Sequence, residues 1–155
     1  MRRKRAEKRD RKPDAVYGNV ALTRFINYIM KNGEKTAAER VVYAALKAIE
    51  KEAGENPITV FEKAMDNISP RVEVSSRRIG GANYQVPREV RPERKFMLAS
   101  RWLIDAARSK KGKNMAQSLS EEILSAYKNE GTAVKKKQDI HRMAESNRAF
   151  AHFSW

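Results

Sequence analysis

Apolar residues recur at three- and four-residue spacing along most of this chain, and one stretch departs from that rhythm. Leu22, Phe25, Ile26, Ile29 and Met30 mark a first helix, and Asn32-Gly33 supplies a left-handed stop behind it. Val41, Val42, Ala45, Leu46 and Ile49 mark a second helix that ends at Gly54. Asn56 is placed to cap a third, with Pro57 in its first turn and Phe61, Ala64, Met65 and Ile68 as an inner stripe up to Pro70. Pro92 opens a fourth, whose apolar face holds Phe96, Ala99, Leu103 and Ala106. A fifth is expected over residues 114–129, with Leu119, Ile123, Ala126 and Tyr127 inward and Gly131 as its stop. A sixth starts near Thr132 and is expected to bury Ile140, Met143 and Ala144. The stripes of the first three helices read as core packing rather than as a ligand pocket.

The departure lies between the third and fourth helices. Val72, Val74 and Ile79 keep a period of two, Gly80-Gly81 follows, and Tyr84 and Val86 resume the alternation before Pro87 stops it. This predicts a β-hairpin. A two-residue turn sets Arg77 opposite Tyr84 and Glu73 opposite Arg88, with Arg78 and Asn83 together on the other face. A ribbon this polar has little apolar surface to bury, and an isolated two-stranded ribbon is marginal in water. Its Arg, Asn, Tyr and Gln side chains are therefore expected to grip something outside the protein. A solvated connector is the plainer alternative. The expected architecture is mainly α: a single-domain bundle of about six helices over residues 13–148. It carries a protruding ribbon at residues 71–90, a disordered basic arm at residues 1–12 and an aromatic tail at residues 149–155.

Charge changes the picture. The chain of 155 residues carries 33 Lys and Arg against 19 Asp and Glu, a formal net charge of +14. Such a balance points to a polyanion, with nucleic acid first among candidates. Residues 1–12, 13–70 and 71–155 carry net charges of +6, −1 and +9, so the cations are loaded on the two flanks. The arm supplies Arg2, Arg3, Lys4, Arg5, Lys8, Arg9, Arg11 and Lys12 and is too charged to fold alone. There is no cysteine for disulfides or thiolate metal sites. No apolar run approaches the roughly 20 residues that span a bilayer, and no apolar helix face adjoins the arm to anchor it to a membrane. The expected compartment is the cytoplasm.

In the fourth helix Arg94, Arg101 and Arg108 recur every seven residues, on one exposed stripe that leads to Lys110, Lys111 and Lys113. Three arginines in register favour phosphate contact over a merely solvated face. Lys135, Lys136 and Lys137 fall in the first turns of the sixth helix, where they oppose the dipole at ~0.3 to 1 kcal/mol each. Cations placed at such a cost suggest a compensating anionic partner. The tail alternates aromatic and polar residues through Phe150, His152, Phe153 and Trp155, so it either tucks against the core or docks on a neighbouring protein. His141 and His152 are the only histidines, and nothing around them has the spacing of a metal site or a nucleophile-base pair. Gly80-Gly81 lacks the Lys-Ser/Thr and following helix of a phosphate loop. The acidic residues fall mostly on polar helix faces. Neither catalysis, cofactor nor small-molecule substrate is expected.

Taken together these residues reach a family. The chain resembles the bacterial small-ribosomal-subunit protein seven along nearly its whole length. The resemblance rests on Tyr17-Gly18, Phe25-Ile26-Asn27, the run from Pro70 to Val74, the unbroken segment from Ser76 to Pro87, and Arg101-Trp102-Leu103. It continues in Gly131 with the run from Ala133 to Lys137, and in Met143-Ala144-Glu145 leading to Asn147-Arg148-Ala149. It implies a helical bundle whose β-ribbon and basic surfaces bind the 3′ major domain of small-subunit rRNA and start assembly of the head. It also implies a ribbon that reaches the messenger and exit-site tRNA path, and a C-terminal helix and tail that face that site and a neighbouring platform protein. Glu34 stands just after the first helix where many members carry a basic residue, and Ser75 stands at a ribbon position that is often basic, which leaves the ribbon charge on Arg77 and Arg78. With Gly80, Gly81, Asn83 and Tyr84 of the ribbon, Arg71, Arg91, Arg142 and Arg148 complete the candidate RNA contacts.

The expected function is thus non-catalytic: multipoint phosphate neutralisation by arm, ribbon and basic helix stripe, with recognition of RNA shape. The alternative is a DNA-bending architectural protein with a ribbon arm, which would want an apolar wedge at the tip where Gly80-Gly81 stands. An RNA-modifying enzyme or nuclease lacks an identifiable site.

Overall fold

The computed structural model describes residues 10–153. Among them six α-helices and one hairpin follow in the order α1 (Val20–Ile29), α2 (Lys35–Ala53), α3 (Pro57–Ile68), β1 (Val72–Ile79), β2 (Ala82–Glu89), α4 (Pro92–Ser109), α5 (Met115–Tyr127) and α6 (Thr132–Ser146), then a 3₁₀ helix at Arg148–Phe153. Arg2, Arg3, Lys4, Arg5, Lys8, Arg9 and Trp155 lie outside the described residues.

Short polar side chains start the helices. The Asn19 carboxamide accepts the N–H groups of Ala21 and Leu22, Asn56 accepts that of Ile58, and Asn114 that of Gln117. Each satisfies donors that a helix N-terminus otherwise leaves without a partner. The predicted stripes then meet in one core. Leu22, Phe25 and Ile26 of α1, Leu46 and Ile49 of α2, Phe61 and Ile68 of α3, Leu103 of α4, and Leu119 and Ile123 of α5 are all fully buried. The Phe25 and Phe61 rings lie 5.1 Å apart in a tilted arrangement. Burial of side chains of this size contributes ~1.5–3 kcal/mol each. α5 packs against α2, α3, α4 and α6, and its polar Ser118, Ser120 and Glu122 are buried along with its apolar residues.

The chain enters the bundle through Asp14. Its Oδ2 accepts the N–H groups of Val16 and Tyr17, and its Oδ1 accepts the Tyr43 hydroxyl at 2.7 Å, which ties the entry segment to α2. Burial, and then the bond to Asp14, push the Tyr43 phenol up to about 12.

The ribbon has the predicted register, with Glu73 opposite Arg88, Arg77 opposite Tyr84 and Arg78 opposite Asn83. Gly80 (φ 55°) and Gly81 (φ 92°) are both left-handed, as a two-residue hairpin turn demands. Four expectations need correction. Pro87 does not stop β2: it pairs with Val74 and the strand runs on to Glu89, because each strand of a two-stranded ribbon has an outer edge where a missing N–H costs nothing. The ribbon is not polar throughout, since Val86 is buried. Gly131 does not end α5. Left-handed Asn129 follows the last turn of α5, and Gly131 is the N-cap of α6. Met143 is not buried but 49% exposed, and Ile140 is only half-buried. α6 meets the bundle core through Ala133 and Val134 and leans along the ribbon for much of the rest, so its periodic stripe, buried Ala144 included, lies outside that core.

Candidate nucleic-acid interface

The ribbon divides into a wet tip and a fixed base. Arg77, Arg78, Gly80, Gly81 and Asn83 are exposed at the tip end, where alternation has no core to face. Tyr84 is half-buried. Its ring lies 5.1 Å from Phe150 and 5.8 Å from Phe153, and His152 sits 4.0 Å from Phe153. The tail therefore covers the ribbon through the 3₁₀ helix; none of that helix's residues is fully buried and none belongs to the bundle core.

At the base, the Glu73 carboxylate is nearly out of water and takes both Arg88 and Arg94. This joins β1 to β2 and to the first turn of α4. His141 on α6 accepts the backbone N–H of Arg71 through Nε2 at 3.1 Å. Burial, with Lys137 and Arg71 close by, holds the imidazole below its ordinary value, which keeps it neutral and able to accept. Lys137 is half-buried and donates to the Asn67 carbonyl at 2.8 Å, while the Asn67 side chain donates to the carbonyls of Ala126 and Tyr127. Burial and then Arg71 lower the Lys137 ammonium from its ordinary value.

Of the candidate cations, Arg11, Lys12, Arg71, Arg77, Arg78, Arg91, Arg94, Arg101, Arg108, Lys111, Lys113, Lys135, Lys136, Arg142 and Arg148 are exposed. Several of them nonetheless have contacts within the protein. Arg94 holds Glu73, and Arg108 donates to the Ile29 carbonyl at 3.3 Å. Lys113 pairs with Glu121, and Lys110 lies 3.1 Å from Glu122. The hydrogen bond from Lys113 is the main reason the Glu121 carboxyl is held below its ordinary value. The stripe of three arginines is thus continuous on the surface but chemically uneven.

Two buried acidic residues, Asp14 and Glu122, escaped the sequence reading, and Glu73, read only as the cross-strand partner of Arg88, is buried too. A signal existed for Glu73, which is the only acid between Arg71 and Arg88 in an otherwise cationic segment. Arg24 was also missed. Its guanidinium lies 4.2 Å over the Phe96 ring. It lines an open groove of ≈ 980 Å³ between α1 and the start of α4, together with Arg11, Tyr28, Glu93 and Arg94. Cations beside aromatic rings in an open groove suit phosphates and bases better than a small enclosed ligand. Among the described residues no cluster of His, Asp and Glu could hold a metal ion, and no helix is long and apolar enough to cross a membrane.

The family described as ribosomal protein S7p/S5e matches residues 1–148. The small ribosomal subunit protein uS7 of Fervidobacterium nodosum is 55% identical over 155 residues, covering all of both chains. The protein of the same name from Petrotoga mobilis is 54% identical, again over the whole of both chains. That from Methylorubrum populi is 56% identical over 154 residues, or 99% of each. With a fold, a basic ribbon and a full-length match in accord, this chain belongs to the ribosomal protein S7p/S5e family.

Proposed function

We propose that this protein is a structural constituent of the small ribosomal subunit. In this reading it binds the 3′ major domain of the subunit's rRNA, nucleates assembly of the head and lines the messenger and exit-site tRNA path. As a member of a ribosomal protein family it is not an enzyme. The observation that carries the RNA reading is the ribbon: Arg77, Arg78 and Asn83 are exposed beyond a base that is fastened to α4 and α6. The left-handed Gly80-Gly81 turn has no Cβ atoms and lets the backbone approach a nucleotide closely.

The exposed cations Arg71, Arg91, Arg101, Lys111, Lys135, Lys136, Arg142 and Arg148 extend the contact over the bundle, and residues 1–12 add an arm. Each phosphate they neutralise releases counterions, so affinity falls with salt in proportion to the number of phosphates engaged. The rigid bundle fixes the distances between these patches, so only correctly folded RNA meets all of them at once. Phe150, His152 and Phe153 mark the side on which a neighbouring platform protein would sit, and Trp155 is the further aromatic that would contact it. The site is a ribosome in the cytoplasm.

Crosslinking in cells, followed by sequencing of the attached nucleic acid, tests the reading. Fragments from one folded region of the small-subunit rRNA are expected; scattered genomic DNA would instead favour an architectural DNA-bending protein. In vitro, replacing Arg77 and Arg78 together with alanine is expected to leave thermal unfolding nearly unchanged and to weaken RNA binding. The log-log salt slope is expected to fall by roughly 0.7 for each single-strand phosphate no longer neutralised, and by about 0.9 for each at a duplex-like site. Deleting residues 1–12 is expected to have the same two effects.

A further inference from the structure

An acidic side chain on an RNA-facing ribbon weakens its attraction for phosphate, yet Glu73 is there and only 9% of its side chain is exposed. Its two oxygens hold two guanidinium groups. Oε1 accepts Arg88 Nε at 2.7 Å, with Arg88 Nη2 in ion-pair contact 2.6 Å from the same oxygen, and Arg94 Nε lies 2.9 Å from Oε1 and 2.7 Å from Oε2. Arg88 comes from the facing strand and Arg94 from the first turn of α4, so one carboxylate fixes both where ribbon and bundle meet.

A guanidinium carries five N–H donors. The bonds with Glu73 engage Nε of each arginine and Nη2 of Arg88, leaving Nη1 of Arg88 and both terminal nitrogens of Arg94 without a partner among the described residues. The two side chains remain 45% and 46% exposed. Two positive charges against one negative leave the cluster net positive.

We propose that Glu73 is a positioning residue that holds Arg88 and Arg94 as a preformed two-guanidinium clamp for one RNA backbone phosphate at the junction of ribbon and α4. Guanidinium N–H groups in a fixed fork match the non-bridging oxygens of a phosphate. Fixing two long side chains beforehand removes the ordering cost that free arginines meet on binding. The inference rests on the RNA-binding reading above and adds Arg88 and Glu73 to it.

The test exploits a conflict of signs. Glu73→Gln raises the net charge by one, so simple electrostatics expects tighter binding to a transcript of the 3′ major domain. The clamp expects the reverse: about tenfold weaker binding, equivalent to one charge-assisted hydrogen bond, with a salt slope smaller by about 0.7 to 0.9. Arg94→Lys keeps the charge and removes the fork, and is expected to reduce affinity similarly. Tighter binding by Glu73→Gln, or wild-type binding by Arg94→Lys, overturns the clamp, and Arg94→Lys alone decides if Glu73→Gln does not fold. Arginine Nε–H exchange measured by NMR without RNA gives a separate readout. Both Nε–H groups are expected to be protected in the wild type and released in Glu73→Gln at unchanged helical content; unprotected groups in the wild type overturn the positioning role. A wild-type chain with protected Nε–H groups but no salt-dependent RNA affinity would instead remove the RNA reading itself.

Discussion

The Oε1 atom of Glu122 accepts the backbone N–H of Ala133 at 3.0 Å, so α6 is capped by a side chain from the helix before it. Its other oxygen lies 3.1 Å from Lys110 Nζ. Lys135, Lys136 and Lys137 oppose the α6 dipole, and an anion beside that N-terminus offsets part of the cost. That anion is internal to the fold. The lysine run therefore does not by itself require an external partner, and the exposure of Lys135 and Lys136 is the better reason to place RNA there.

Glu122→Ala removes the acceptor for Ala133 and the buried partner of Lys110 together. Only 2% of the Glu122 side chain is exposed, so the Ala133 N–H it serves loses its partner away from bulk water. The expected destabilisation is ~1–3 kcal/mol, read as a lower urea midpoint at unchanged slope. A wild-type midpoint would show that the cap contributes nothing.

Gly131 is crowded by the same carboxylate. A Cβ at this position would sit 2.9 Å from Glu122 Oε1 and 3.1 Å from Ser125 Cβ, on backbone with φ +95°. Gly131→Ala is expected to destabilise by about 1–3 kcal/mol through strain and displacement of the cap. Since both changes disturb one hydrogen bond, Gly131→Ala and Glu122→Ala are expected to be less than additive in a double-mutant cycle.

His141 predicts a pH dependence whose sign is fixed. The imidazole is held below its ordinary value in the folded protein, so the unfolded chain takes up a proton first as pH falls. Stability is full above about pH 6.5, the ordinary histidine value, and declines as pH falls from there toward the lower folded value. Protonation also removes the acceptor for the Arg71 N–H and places a cation beside Lys137 and Arg71. Urea unfolding at successive pH values is expected to show this decline in the wild type and a flatter profile in His141→Gln; identical profiles would exclude His141 as its source.

Truncation after Asn147 separates ribbon cover from bundle core. It removes Phe150 and Phe153 from the Tyr84 ring, pairings of about 0.5–1.5 kcal/mol each beyond burial. Because these rings lie on the ribbon, the bundle midpoint is expected to shift little while amide exchange in residues 82–89 accelerates. A large fall in the midpoint would place the tail in the core after all.

Much of this protein was legible because its information is local. The 3.6-residue stripes located all six helices, Asn56 marked the start of the third, and the Gly80-Gly81 pair fixed the ribbon register to the residue. A left-handed dipeptide between two alternating runs admits one pairing, and a stripe of Leu22, Phe25, Ile26 and Ile29 admits one inner face. Net charge and its placement on the flanks then set the class of partner.

What the sequence could not decide is what each face meets. Met143 and Ile140 share a stripe with Ala144, but α6 lies along a ribbon, so the same periodicity leaves Met143 in water. Lys110 and Lys113 read as free cations until α5 brings Glu121 and Glu122 beside them. Glu73 reads only as the cross-strand partner of Arg88 until α4 delivers Arg94 to it, and Tyr84 reads as a free ring until the tail returns across more than sixty residues to cover it. Periodicity reports the direction of a side chain relative to its own backbone; its neighbours come from segments distant in the chain, and only the packing of the bundle brings those segments together.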